Sequence, residues 1–108
     1  MITTSVLDTG RGLPAPRVTV ELDVFISGHG WREISRGLTN DEGCVVSFGE
    51  PPASGVYRLM FDIASYDPHI FFPSIAIMFE LDDSEDSVHI ALSLSRYGYS
   101  VVRGLQQI

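Results

Sequence analysis

Apolar and polar residues alternate with a period of two along much of this 108-residue chain. In 17–26, RVTVELDVFI, the residues Val18, Val20, Leu22, Val24 and Ile26 alternate with Thr19, Glu21, Asp23 and Phe25. In 56–63 the run puts Tyr57, Leu59, Phe61 and Ile63 on one face, and in 74–81 it does the same for Ile75, Ile77, Phe79 and Leu81. In 87–94 Val88, Ile90, Leu92 and Leu94 point inward, leaving Ser87, His89, Ala91 and Ser93 outward. That period is the mark of a pleated strand with one face buried. Turn formers separate the runs: Gly28-His29-Gly30, Asn40-Asp41-Glu42-Gly43, Pro51-Pro52-Ala53-Ser54-Gly55 and Asp82-Asp83-Ser84-Glu85-Asp86. Ile63-Ala64-Ser65-Tyr66-Asp67 predicts one short helical turn before Pro68. Strands of this length joined by short polar turns predict an all-β antiparallel sandwich, one domain over residues 1–108.

Composition narrows the chemistry. The net charge of −7 argues against a phosphate-backbone ligand, and no basic stripe exists for nucleic acid. All seven basic residues are arginine, so a lysine Schiff base is excluded. The one cysteine, Cys44, permits no internal disulfide, which favours a reducing compartment. The opening residues lack a basic region followed by an apolar run, and no stretch approaches a membrane span, so a cytoplasmic protein without membrane contact is expected.

Four stretches carry a family likeness, in order and spacing: ITTSVLDTGRGLPAPRVTVEL at the start, GLTNDEGCV in the middle, GVYRLMFDIASY with FFPSIAIMFEL, and HIALSLSRYGYSVVRG near the end. Together they resemble the transthyretin-like family, whose enzymatic branch is 5-hydroxyisourate hydrolase of purine catabolism. The resemblance covers essentially the whole chain. It implies two four-stranded sheets, an edge-to-edge dimer and a homotetramer built as a dimer of dimers, with sites in the groove where dimers meet.

The same motifs show where this chain departs from the hydrolase branch. The histidine of that branch's first motif is replaced by Ser5, in Thr4-Ser5-Val6-Leu7-Asp8. The middle motif's arginine is replaced by Cys44, in Glu42-Gly43-Cys44. In the closing motif His89 and Arg103 are kept, the Thr-Tyr pair has become Val101-Val102, and Leu105 stands for the final serine. The resemblance therefore implies a groove with His89 as its catalytic group and Ser5, Cys44, Val101, Val102, Arg103 and Leu105 as substrate-binding positions.

Opening a ureide ring needs a base for water and a donor or cation for the oxyanion. Serine is no base at neutral pH, and cysteine carries no fixed positive charge. Losing one oxyanion donor alone costs about 2.7–4 kcal/mol of transition-state stabilisation. The parent reaction is expected to be lost, leaving a less hydrophilic groove for a hydrophobic or aromatic small molecule. In it His89 serves cofactor-free acid/base or hydrogen-bond chemistry: cyclisation, isomerisation or hydrolysis, as in specialised-metabolite biosynthesis. The alternative is a non-catalytic carrier, and a packed interface histidine is the plain structural one.

Other residues point elsewhere. Cys44 beside His89 has the composition of a nucleophilic pair, but cysteine is more often a small hydrophobe. Ser5 can hydrogen-bond His89, though no acidic third member is evident in the motifs. Asp8 reads as a turn acceptor at a strand end. The acidic run 82–86 lacks calcium-loop spacing, and His29 and His69 lack zinc-ligand spacing, so neither a metal nor another cofactor is expected. Trp31 reads as a strand anchor.

Overall fold

The computed structural model describes residues 1–49, 54–82 and 87–104. In chain order its elements are β1 (Ile2–Asp8), β2 (Leu13–Pro14), β3 (Thr19–Ile26), β4 (Gly30–Leu38), β5 (Cys44–Val45), β6 (Gly55–Asp62), α1 (Ile63–Tyr66), β7 (Ser74–Leu81), β8 (Val88–Leu94) and β9 (Tyr99–Gly104). One sheet runs β4-β3-β6-β7. The other runs β1-β8-β9, with β2 and β5 both pairing the free side of β1. Those two pieces have two residues each and share one column, β2 beside Leu7 and Asp8 and β5 beside Thr4 and Ser5. Each sheet is thus four strands wide, and the fold is the expected two-sheet sandwich with one short helical turn.

The core is the inward half of the alternation. Val18, Val20, Leu22, Leu59, Phe61, Ile63 and Ile75 from one side meet Ile2, Val6, Leu92 and Leu94 from the other, all almost wholly buried. Burying side chains of this size contributes about 1.5–3 kcal/mol each before the cost of ordering them. The helical turn forms where predicted: Asp62 Oδ1 accepts from Ser65 N at 3.3 Å, and Pro68 follows two residues past its end. Of the predicted turns, residues 50–53 and 83–86 lie outside the described residues.

One pairing departs from the antiparallel expectation. β1 and β8 run parallel, in a continuous register from Ile2↔Val88 to Asp8↔Leu94. Strands from the two ends of the chain have no hairpin to force them antiparallel, and the long path between them passes through the second sheet. This pair positions the site.

Candidate functional site

The β1–β8 register sets Thr3 beside His89 and Ser5 beside Ala91. Because side chains alternate, Thr3, Ser5, His89 and Ala91 share the face turned away from the core. There the imidazole lies between two hydroxyls: Thr3 Oγ1 is 2.7 Å from Nδ1 and Ser5 Oγ is 3.0 Å from Nε2. Thr3 is almost fully buried, while Ser5 and His89 are half-buried. The ring occupies space left by a glycine. Gly104 is the register partner of His89 on β9, and a Cβ there would sit 3.1 Å from His89 Cδ2. Burial pushes the imidazole below its ordinary pKa, so it is neutral at physiological pH. A neutral ring has one donor and one acceptor nitrogen, and the two hydroxyls can rotate to satisfy both.

Cys44 reaches the same face through its pairing with Ser5. A tight turn holds it there: Asn40 Oδ1 accepts from the N–H groups of Glu42 at 2.9 Å and Cys44 at 3.1 Å. Gly43 then adopts φ 77°, and its carbonyl accepts from Val6 N at 2.8 Å, docking the turn on β1. Cys44 Sγ donates to the Glu42 carbonyl over 3.7 Å. Burial, with the Glu42 charge, pushes the thiol pKa up, so Cys44 is a protonated thiol near neutrality. With both His89 nitrogens engaged by hydroxyls, no thiolate–imidazole pair forms.

The closing strand divides the remaining positions. Val102 pairs with Ala91 and joins the His89 face, 60% exposed. Val101 pairs with Leu92 and Arg103 with Ile90, and both partners are core residues. Period two therefore puts Val101 and Arg103 on the face of β9 opposite the one that carries Val102. Leu105 lies outside the described residues. Thr3 is the site group the motif reading missed. Its signal was present, since a residue two before Ser5 must share its face.

Two other polar centres lie apart. A cleft of about 470 Å³ between the strand-end loops is lined by Asp8, Arg11, Asp67, His69 and Arg96 among others. Asp8 is largely spent on structure there, accepting from Arg11 N at 3.1 Å and from the Tyr66 hydroxyl at 2.7 Å. On the outer face of the second sheet, the buried Asp23 takes two bonds from Arg58, at 2.8 and 3.0 Å, and that guanidinium lies over the Trp31 ring. Proton sharing with Asp23, followed by burial, pushes the neighbouring Glu21 up to about 7, against the pull of Arg36 at 2.9 Å. Among the described residues no group of His, Cys, Asp and Glu is arranged to hold a metal, and no helix is long and apolar enough to cross a membrane.

Residues 2–104 match the HIUase/Transthyretin family. The chain belongs to that family. It is 32% identical to 5-hydroxyisourate hydrolase of Salmonella dublin, over 96% of this chain and 80% of that one. It is 34% identical to the uric acid degradation bifunctional protein TTL of Arabidopsis thaliana, over 95% of this chain but only 36% of that longer protein. The fold superposes on sea bream transthyretin in complex with thyroxine with a TM-score of 0.90, at 23% identity, covering 99% of this chain and 97% of the other. At that identity the likeness concerns the fold.

Proposed function

We propose that this chain is a repurposed member of the family, a cofactor-independent enzyme in which His89 acts as acid or base on a hydrophobic or aromatic small molecule. The observation that supports this is the neutral imidazole held by two hydroxyls beside Ala91 and Val102, on a face where no described residue is cationic. A pre-oriented neutral imidazole moves protons near pH 7 without further tuning. The apolar neighbours suit an apolar ligand rather than a ureide. Hydrolysis, isomerisation and ring closure are the reactions such a site can run, and specialised-metabolite biosynthesis is the setting where they would be used. On this reading a second dimer of the same chain covers the open face and turns it into a groove.

A carrier is the second reading, favoured by the fold shared with a thyroxine-bound transthyretin. The two are separated by His89→Ala. The enzyme reading expects a loss of about a hundredfold or more in turnover of an accepted substrate. The carrier reading expects only about 0.5–1.5 kcal/mol of lost affinity. Purified protein is also expected not to accelerate 5-hydroxyisourate decay over buffer. Hydrolysis matching an intact relative, followed by ultraviolet absorbance, would sink the repurposed reading.

A further inference from the structure

The position where the hydrolase motif has histidine carries a hydroxyl in contact with His89 Nε2. Ser5 Oγ lies 3.0 Å from that nitrogen, the separation of a nucleophile from its base. The other ring nitrogen is held at 2.7 Å by Thr3 Oγ1, which also lies 3.5 Å from the Val88 carbonyl oxygen. With the Thr3 hydroxyl proton directed at that carbonyl, Nδ1–H donates to Thr3 Oγ1. The lone pair on Nε2 then accepts from Ser5. This is the arrangement of a serine nucleophile, a histidine base and a third group orienting the base, with a threonine in place of an acid. Cys44 does not compete, since it lacks a base and is held as a thiol.

We propose that Ser5 is a covalent nucleophile activated by His89, with Thr3 as the positioning residue, and that the site takes acyl compounds with a good leaving group, such as aryl esters. The inference rests on the reading of His89 as the base. Ser5 Oγ attacks the acyl carbon as its proton passes to His89 Nε2. The bond from the acyl carbon to the aryl oxygen breaks, and that oxygen leaves with the proton as the phenol. Water then gives a proton to Nε2 and attacks the acyl-serine ester, releasing the carboxylic acid and restoring the Ser5 hydroxyl. The leaving-group requirement follows from the face itself: Thr3, Ser5, Cys44, Ala91 and Val102 offer no cation for an oxyanion. The preference for an aryl leaving group follows from Ala91 and Val102.

The test uses the full chain with 4-nitrophenyl acetate and, separately, an alkyl fluorophosphonate, read by nitrophenolate release, intact mass and peptide mapping. One adduct per chain on Ser5 is expected, absent in Ser5→Ala and His89→Ala, both checked for folding by thermal melts. Its rate should rise with pH through a midpoint below the ordinary imidazole value of about 6.5, as His89 becomes neutral. Thr3→Val should slow the reaction roughly tenfold and move that midpoint, and Thr3→Ser should restore both. An adduct on Cys44 or His89, or none on Ser5, overturns the proposal, and it does so in the wild-type chain whatever the variants do. Turnover kept in Ser5→Ala but lost in His89→Ala removes the nucleophile and leaves the base standing. Turnover indifferent to both residues removes the two together.

Discussion

A methyl group on Gly104 would begin 3.1 Å from His89 Cδ2, tighter than carbons normally pack. The backbone there carries no positive φ, so alanine meets no conformational penalty and the imidazole must give way. A shift of a few tenths of an ångström lengthens the contacts to Thr3 and Ser5. Misplacement by 1 Å can cost about a hundredfold in rate, so Gly104→Ala is expected to lose on the order of tenfold in His89-dependent turnover. Melting should barely change, because Gly104 is at the strand end. A lost melt with unchanged turnover per folded molecule would contradict this. His89 itself was readable as an outward residue on an alternating strand. Its two hydroxyl partners were not readable as partners, because Thr3 and Ser5 lie 86 and 84 positions away in sequence. Only the parallel register brings them together.

Elements differ in how openly they announce themselves. β3, β6, β7 and β8 carry clean alternation because each has one face in an apolar core. β1 hides its period: Thr3 and Thr4 are both buried, and Thr4 fits the core face only because its hydroxyl donates to the Ile90 carbonyl at 2.6 Å. β4 is obscured by a register shift between Leu22/Asp23 on its partner, where Ile34 is the extra residue. The 40–44 turn is readable as a turn, but its task of carrying Cys44 to Ser5 is set by docking on β1. Gly43 is its key position, since a Cβ there would fall 2.5 Å from the Val6 carbonyl oxygen at a φ of 77°. Gly43→Ala should cost about 2–3 kcal/mol and lower the melting temperature on the order of 10 °C. Differential scanning calorimetry showing no change would mean the turn can leave β1 freely.

At the scale of the molecule, the His89 face is open on a single chain. Leu7 and Val102 stand on it 44% and 60% exposed, beside half-buried Ala91. Apolar side chains gathered around a polar site favour a covered face. The chain is therefore expected to sediment as a tetramer, or at least a dimer, at micromolar concentration. Val102→Arg should drive it toward smaller species by placing an unpaired charge at the contact. A single 11.9 kDa species in the wild-type chain would leave the face open and remove the shared groove.

Local pattern alone determined the fold class, four of the strands, the helical turn before Pro68 and the outward setting of His89, because a period of two and a proline act within a few residues. The motifs added the family. What surrounds His89 was decided by tertiary structure: β1 lies parallel to β8, Gly104 opens room for the ring, and Val101 and Arg103 turn to the other face while Val102 stays. Motif spacing cannot convey this, because adjacency along a motif ignores the alternation that sends neighbouring residues to opposite sides of a sheet. Which side chains meet across strands depends on a register set by the packing of the whole core.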